Sequence, residues 1–194
     1  AGQFYQRGYN ASNVQVMQRY DIYGTPAFSF TQTSLDAAVV VDGAGNYFTP
    51  DYHNNQFYKY GPTGTLLGTY ANISPPNDIA RDLNTGNLYT VSNTNNIVRP
   101  YTSAGVALTT FTFGTGASRA EHVAVDPLGN VWLVDTSTNL VLKLSSTGTL
   151  LASFAHGITG TQPRLVATPA VDINGVVYVN DFGVGVLRMF DQAG

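Results

Sequence analysis

One four-residue signature, met five times, constrains this chain more than anything else in it. It is Gly, any residue, an apolar residue and then an aromatic: Gly2-Gln3-Phe4-Tyr5, Gly45-Asn46-Tyr47-Phe48, Gly86-Asn87-Leu88-Tyr89, Gly129-Asn130-Val131-Trp132 and Gly175-Val176-Val177-Tyr178. The aromatics recur at intervals of 43, 41, 43 and 46 residues. Self-similarity at that period is the mark of a tandem array of one supersecondary unit. Three further markers keep step with it. Asp42, Asp82, Asp126 and Asp172 precede the glycine; Asp51, Ser92, Asp135 and Asp181 follow the aromatic; Gly24, Gly64, Gly105, Gly148 and Gly194 mark a last turn.

The clearest copy, Glu121–Phe154, holds four short apolar runs separated by turns such as Pro127–Asn130 and Ser145–Gly148. Gly and Asn in the first turn accept the positive φ that tight hairpins demand. The Asp side chains can accept backbone N–H bonds in the same turns. No stretch sustains a 3.6-residue period, so no helix is expected. A four-stranded sheet of this size cannot bury both faces alone, so neighbouring units must stack. The units fall at 1–30, 38–70, 78–111, 122–154 and 170–194. The first is expected to lack its first strand and to run Phe4–Arg7, Asn13–Met17 and Ala27–Phe30. The last lacks its fourth. The missing strands are expected from further chain or, as the less favoured reading, from neighbouring subunits pairing near Phe4–Arg7 or Leu187–Phe190.

The run from Val123 to Leu144, VAVDPLGNVWLVDTSTNLVLKL, resembles the NHL repeat, and Asp82–Asn96 and Asp172–Asp181 resemble it too. The resemblance covers nearly the whole chain. It implies an all-β propeller of four-stranded antiparallel blades, three complete and two partial here, belonging to a six-bladed or longer array. Lactonase-like and streptogramin-lyase-like propellers have units of similar length. No Trp-Asp pair ends a third strand, which argues against a WD40 reading.

Composition narrows the partners. Charged residues are only 11% and the net charge is −3, which argues against nucleic acid, since such binders carry a basic patch. The chain has no cysteine, so disulfides, thiolate metal sites and Cys nucleophiles are excluded. No apolar run reaches membrane-spanning length. A Thr/Asn-rich, Cys-free surface leads to the expectation of a secreted or cell-surface protein. Sequons stand at Asn10 and Asn72. Exposed Tyr9, Tyr20, Tyr23, Tyr52 and Tyr58 are expected either to meet a protein or carbohydrate partner or simply to cover outer strands. Open blade edges are a route to self-association.

Singular residues matter most in a repeat, because recurrence is what scaffolding predicts. His122 opens an inner strand beside Glu121 and near Arg119, and alignment of the repeats puts Asp78 at the equivalent position of the preceding unit. Both are expected at one mouth of the central channel. With Arg164 from the longest join, Asp78, Arg119, Glu121 and His122 form the candidate ligand-binding set. The resemblance implies that some NHL-type enzymes hold a metal through histidines near these strand starts. Here the other starts supply Ala38 and Thr168, and His53 and His156 lie in other turns, so neither a metal nor another cofactor is expected. No Gly-X-Ser-X-Gly elbow or phosphate loop is present, and no residue is assigned as catalytic. The expectation is a non-catalytic extracellular binding or assembly module. The alternative is a propeller enzyme, a metal-dependent lyase or lactonase-like hydrolase, acting at the channel mouth.

Overall fold

The computed structural model describes residues 3–9, 11–12, 15–31, 38–72, 74–114, 119–157, 168–181 and 185–191. They form five antiparallel sheets. The first blade holds β1 (Gln3–Tyr9), β2 (Gln15–Asp21) and β3 (Pro26–Thr31). The second holds β4 (Val40–Val41), β5 (Tyr47–Asp51), β6 (Gln56–Tyr60) and β7 (Leu66–Ala71). The third holds β8 (Asp78–Arg81), β9 (Leu88–Ser92), β10 (Ile97–Tyr101) and β11 (Phe111–Thr112). The fourth holds β12 (Val123–Val125), β13 (Val131–Asp135), β14 (Leu140–Leu144) and β15 (Leu150–Ala155), and the fifth β16 (Pro169–Val171), β17 (Val177–Asp181) and β18 (Val186–Phe190). Among the described residues there is no helix, so none is long and apolar enough to cross a membrane. Within each blade, strands neighbouring in sequence pair with one another.

The recurring Asp builds the first turn of the second to fifth blades. Asp126 Oδ1 accepts the backbone N–H of Leu128 and Asn130 at 2.9 and 2.8 Å. Asp42 does the same for Ala44 and Asn46, and Asp172 for Asn174 and Val176. The turn closes through a residue with φ of +82° at Gly129, the left-handed region where a Cβ is penalised.

The signature aromatics occupy one register. Phe48 faces Lys59, Tyr89 faces Pro100, Trp132 faces Lys143 and Tyr178 faces Met189 across the second and third strands. Because side chains alternate along a strand, Val131 and Leu133 turn towards the third blade and Trp132 and Val134 towards the fifth. Phe48, Tyr89 and Trp132 are buried in these wedges; Tyr178 is half-buried. A second contact ties blade to blade. The aromatic near the end of one outer strand lies on the last-turn glycine of the next blade: Tyr70 on Gly105 and Phe111 on Gly148, where a Cβ would fall inside the ring.

Two strands are shorter than the repeat predicts, and each has a proline opposite. Val91 accepts a bond from Asn77 N, so its backbone polar groups face the inner strand. Pro50 holds the equivalent position in β5 and has no N–H to give, and β4 is two residues long. Pro100 accepts Leu108 N through its carbonyl but cannot return a bond to the outer strand, and β11 is also two residues long. The second strand of the first blade differs as well. Its described pairing with β1 runs from Gln15 to Asp21, past the expected end at Met17, because the ladder continues through Gln18, Arg19 and Tyr20.

Candidate active site

Inner strands β4, β8, β12 and β16 lie side by side around the centre of the array. Asp78 opens β8, and His122 immediately precedes β12. The segment leading to His122 is pinned. Arg119 N donates to Asp135 Oδ1 at 2.9 Å, Arg119 O accepts Thr136 N at 3.0 Å, and Ala120 is fully buried.

Asp78 joins the two blades. It is 7% exposed. Oδ1 accepts its neighbour's N–H, from Ile79, at 2.8 Å. Oδ2 accepts Val123 N at 3.0 Å and faces His122 Nδ1 at 3.1 Å. An ionised carboxylate can only accept, so the pairing assigns the hydrogen to Nδ1. In the neutral ring this leaves Nε2 with its lone pair free. The imidazole is thus held in one tautomer by a buried anion, the arrangement that equips a histidine to take a proton.

Glu121 and Arg119 lie in the same segment. Glu121 Oε1 accepts Arg119 Nε at 3.0 Å and Nη2 at 2.7 Å, and Asn93 Nδ2 at 2.9 Å. Asn93 is itself fixed, since its N–H donates to Asn77 Oδ1 at 2.9 Å. So Asp78, Arg119, Glu121 and His122 do come together at the join of the third and fourth blades. Arg164 and Asn10 lie outside the described residues. Asn72 is half-buried and donates Nδ2 to Thr90 Oγ1 at 2.8 Å; attachment of a glycan would break that bond. Asn77 and Asn93 carry no signature in the sequence, because their contacts join a hairpin turn to a distant segment without any fixed spacing.

The other histidines stand apart. His53 is exposed, edge-on to the Tyr52 ring. His156 is buried at 2% exposure, its backbone N donating to Asn139 O. Among the described residues no three His, Cys, Asp or Glu groups converge as metal ligands. At this level Asp78 and His122 are joined by no further His, Asp or Glu among the described strand starts, since Ala38 and Thr168 stand at the equivalent positions, and a metal centre needs three or more convergent ligands. This donor set does not fit a metal centre, and no step below is routed through one.

Two clefts of about 370 and 410 Å³ open between the third and fourth blades on either side of the short β11. Leu140, Leu142, Leu144 and Phe113 line the first; Tyr89, Pro100 and Leu108 line the second. Neither includes Asp78, Glu121 or His122. Both are separate from the histidine.

No protein-family model matches the sequence, and no protein of curated function matches it. Solved structures do match. Selenomethionine-substituted virginiamycin B lyase from Staphylococcus aureus superposes with a TM-score of 0.69 at 14% identity, covering 97% of this chain and 70% of that one. A streptogramin B lyase gives 0.68 at 13% identity, covering 96% and 68%. A catalytically inactive His-to-Ala variant of the S. aureus virginiamycin B lyase, with quinupristin, gives 0.70 at 13% identity, covering 95% and 68%. The fold is a β-propeller. At this identity the likeness is one of fold.

The comparison overturns the expectation of a non-catalytic binding or assembly module. The solved structures named above are lyases, and they favour the alternative reading. Low charge and the lack of a recognisable catalytic motif are weak grounds for that expectation, because in a repeat array the scaffold supplies the positioning and a single non-recurring side chain leaves no motif.

Proposed function

We propose that this propeller is a lyase acting at the channel mouth, with His122 as the proton-abstracting base and Asp78 as the group that orients it. The observation that carries the reading is the Asp78–His122 contact at 3.1 Å between the starts of adjacent inner strands. In an elimination, His122 Nε2 takes a proton from carbon, the electron pair forms a carbon–carbon double bond, and the bond to the leaving oxygen breaks. Asp78 stabilises the resulting imidazolium without itself taking the proton. The structural neighbours named as virginiamycin B and streptogramin B lyases support this reaction class, as does the loss of activity in a histidine variant of one of them. The repeat is of NHL type on this reading. The 68–70% coverage of the neighbouring chains supports a ring of six blades or more.

Product mass tests the reading. With quinupristin, a macrocyclic lactone, as probe, elimination opens the ring to a single product of unchanged mass that chromatography separates from the substrate, whereas hydrolysis adds one water. Cleavage without added water, abolished in His122→Ala, is expected. Incorporation of ¹⁸O from labelled water would place the chain with the hydrolases instead.

A further inference from the structure

Glu121 carries an acceptor that the fold positions and that no described residue uses. All three donors reaching it land on one oxygen, Oε1: two N–H groups of Arg119 and one of Asn93, at 2.7–3.0 Å. No described residue donates to Oε2, although Arg–carboxylate pairs usually share their bonds across both oxygens as a fork. The side chain keeps 25% of its surface exposed. The brace itself is anchored on two blades, through Arg119 N on Asp135 and Asn93 N on Asn77. Holding Arg, Asn and Glu in one arrangement costs side-chain entropy, and a partly exposed ion pair returns little stability for it. His122 follows directly in the chain, and both residues bond to the third blade, through Asn93 and Asp78 respectively.

We propose that Glu121 is the specificity-determining acceptor of this site: its Oε2 receives an N–H donor of the substrate, an amide or an ammonium, beside the His122 imidazole. Arg119 and Asn93 are positioning residues, which aim the carboxylate by occupying its other oxygen. The inference rests on the reading of the channel mouth as a substrate site, and its test is separable from the test of catalysis.

Glu121→Gln keeps the size of the side chain and one oxygen for Arg119 and Asn93, but replaces the open acceptor with an NH₂ donor. The probe is quinupristin, whose amide groups supply N–H donors, with affinity read by calorimetry and turnover by chromatographic separation of the ring-opened product. Glu121→Gln is expected to raise both Kd and KM about 10-fold or more, the effect of one hydrogen bond to a charged group, with kcat near wild type. His122→Ala is expected to give the converse, with Kd retained and kcat lost. Should Glu121→Gln fold poorly, Glu121→Asp withdraws the acceptor while keeping the charge and is expected to weaken binding in the same sense. Quinupristin bound by wild type without turnover, and weakened by either Glu121 variant, upholds the inference while the lyase reading falls. Equal Kd in wild type and a folded Glu121 variant overturns it, as does no binding by wild type at millimolar quinupristin.

Discussion

Asp126 and Asp78 are both buried carboxylates that accept backbone N–H bonds, at 3% and 7% exposure. Their partners separate them. Every group on Asp126 belongs to its own blade: Leu128 N, Asn130 N, Asn130 Nδ2 and Trp132 Nε1. Asp78 reaches into the next blade, to Val123 N and the His122 ring. Asp126 has counterparts at Asp42, Asp82 and Asp172, and Asp78 has none, since Ala38 and Thr168 take its place. The recurring carboxylate builds a turn and serves stability. The singular one spans a blade boundary and fixes the tautomer of the one histidine at an inner-strand start. In a repeat fold, then, the departure from the pattern is where chemistry is to be sought.

The comparison is broken most severely from the Asp126 side. Trp132 is fully buried, fills the wedge towards the fifth blade and donates to Asp126 Oδ2 at 2.9 Å. Trp132→Ala is expected to cost about 3–5 kcal/mol in denaturant unfolding; a loss below about 1 kcal/mol, well short of that range, would contradict the register described. Asp126→Ala should cost about 2–3 kcal/mol, because it strips a charged acceptor and strands the buried indole N–H. Burial alone would raise the Asp126 pKa, but bonds from the Asn130 side chain, Trp132 and the backbone N–H of Asn130 and Leu128 outweigh it and hold the value below 3.8. Its contribution is therefore present above the unfolded-state value and is lost as pH falls through the lower folded value. Stability should rise with pH across the acid range, and an Asp126→Asn variant should show a shallower rise in pH-dependent unfolding.

Gly148→Ala probes the joint between blades without touching either carboxylate. Its φ is +92° and its added Cβ would meet the Phe111 ring. A loss of about 1–3 kcal/mol is expected in unfolding, from overpacking and an unfavourable backbone. The smallest stability effect belongs to Asp78→Asn, which keeps the shape and an oxygen to accept Val123 N. It should cost about 1 kcal/mol or less, the worth of an ordinary hydrogen bond. In steady-state assays it should slow turnover more than it shifts KM, since a misassigned His122 tautomer impairs the base rather than binding.

Much of this was legible in the residues. The aromatic spacing locates the blades, the recurring Asp marks the turns, and aligning the repeats puts Asp78 and His122 at equivalent strand starts of neighbouring units, where the two do meet. The short β4 and β11 were not legible from the repeat, because Pro50 and Pro100 matter only through which neighbour their missing N–H would face. That is a property of pairing, which the order of residues does not reveal. The Glu121–Asn93 bond was hidden for the same reason. It links side chains 28 residues apart across a blade boundary. The proposed activity has no signature in the sequence, because a lone histidine on a polar, weakly charged chain carries no motif.

The most direct test of the account measures turnover and melting temperature on the same preparation of His122→Ala. If His122 is the base and the recurring carboxylates are the scaffold, turnover of quinupristin should fall about 10²–10⁴-fold, the usual contribution of general base catalysis. The melting temperature should stay within about 3 °C of wild type, as for a side chain outside the packed core. Turnover within twofold of wild type would contradict the account, and so would a loss of activity that only accompanies unfolding.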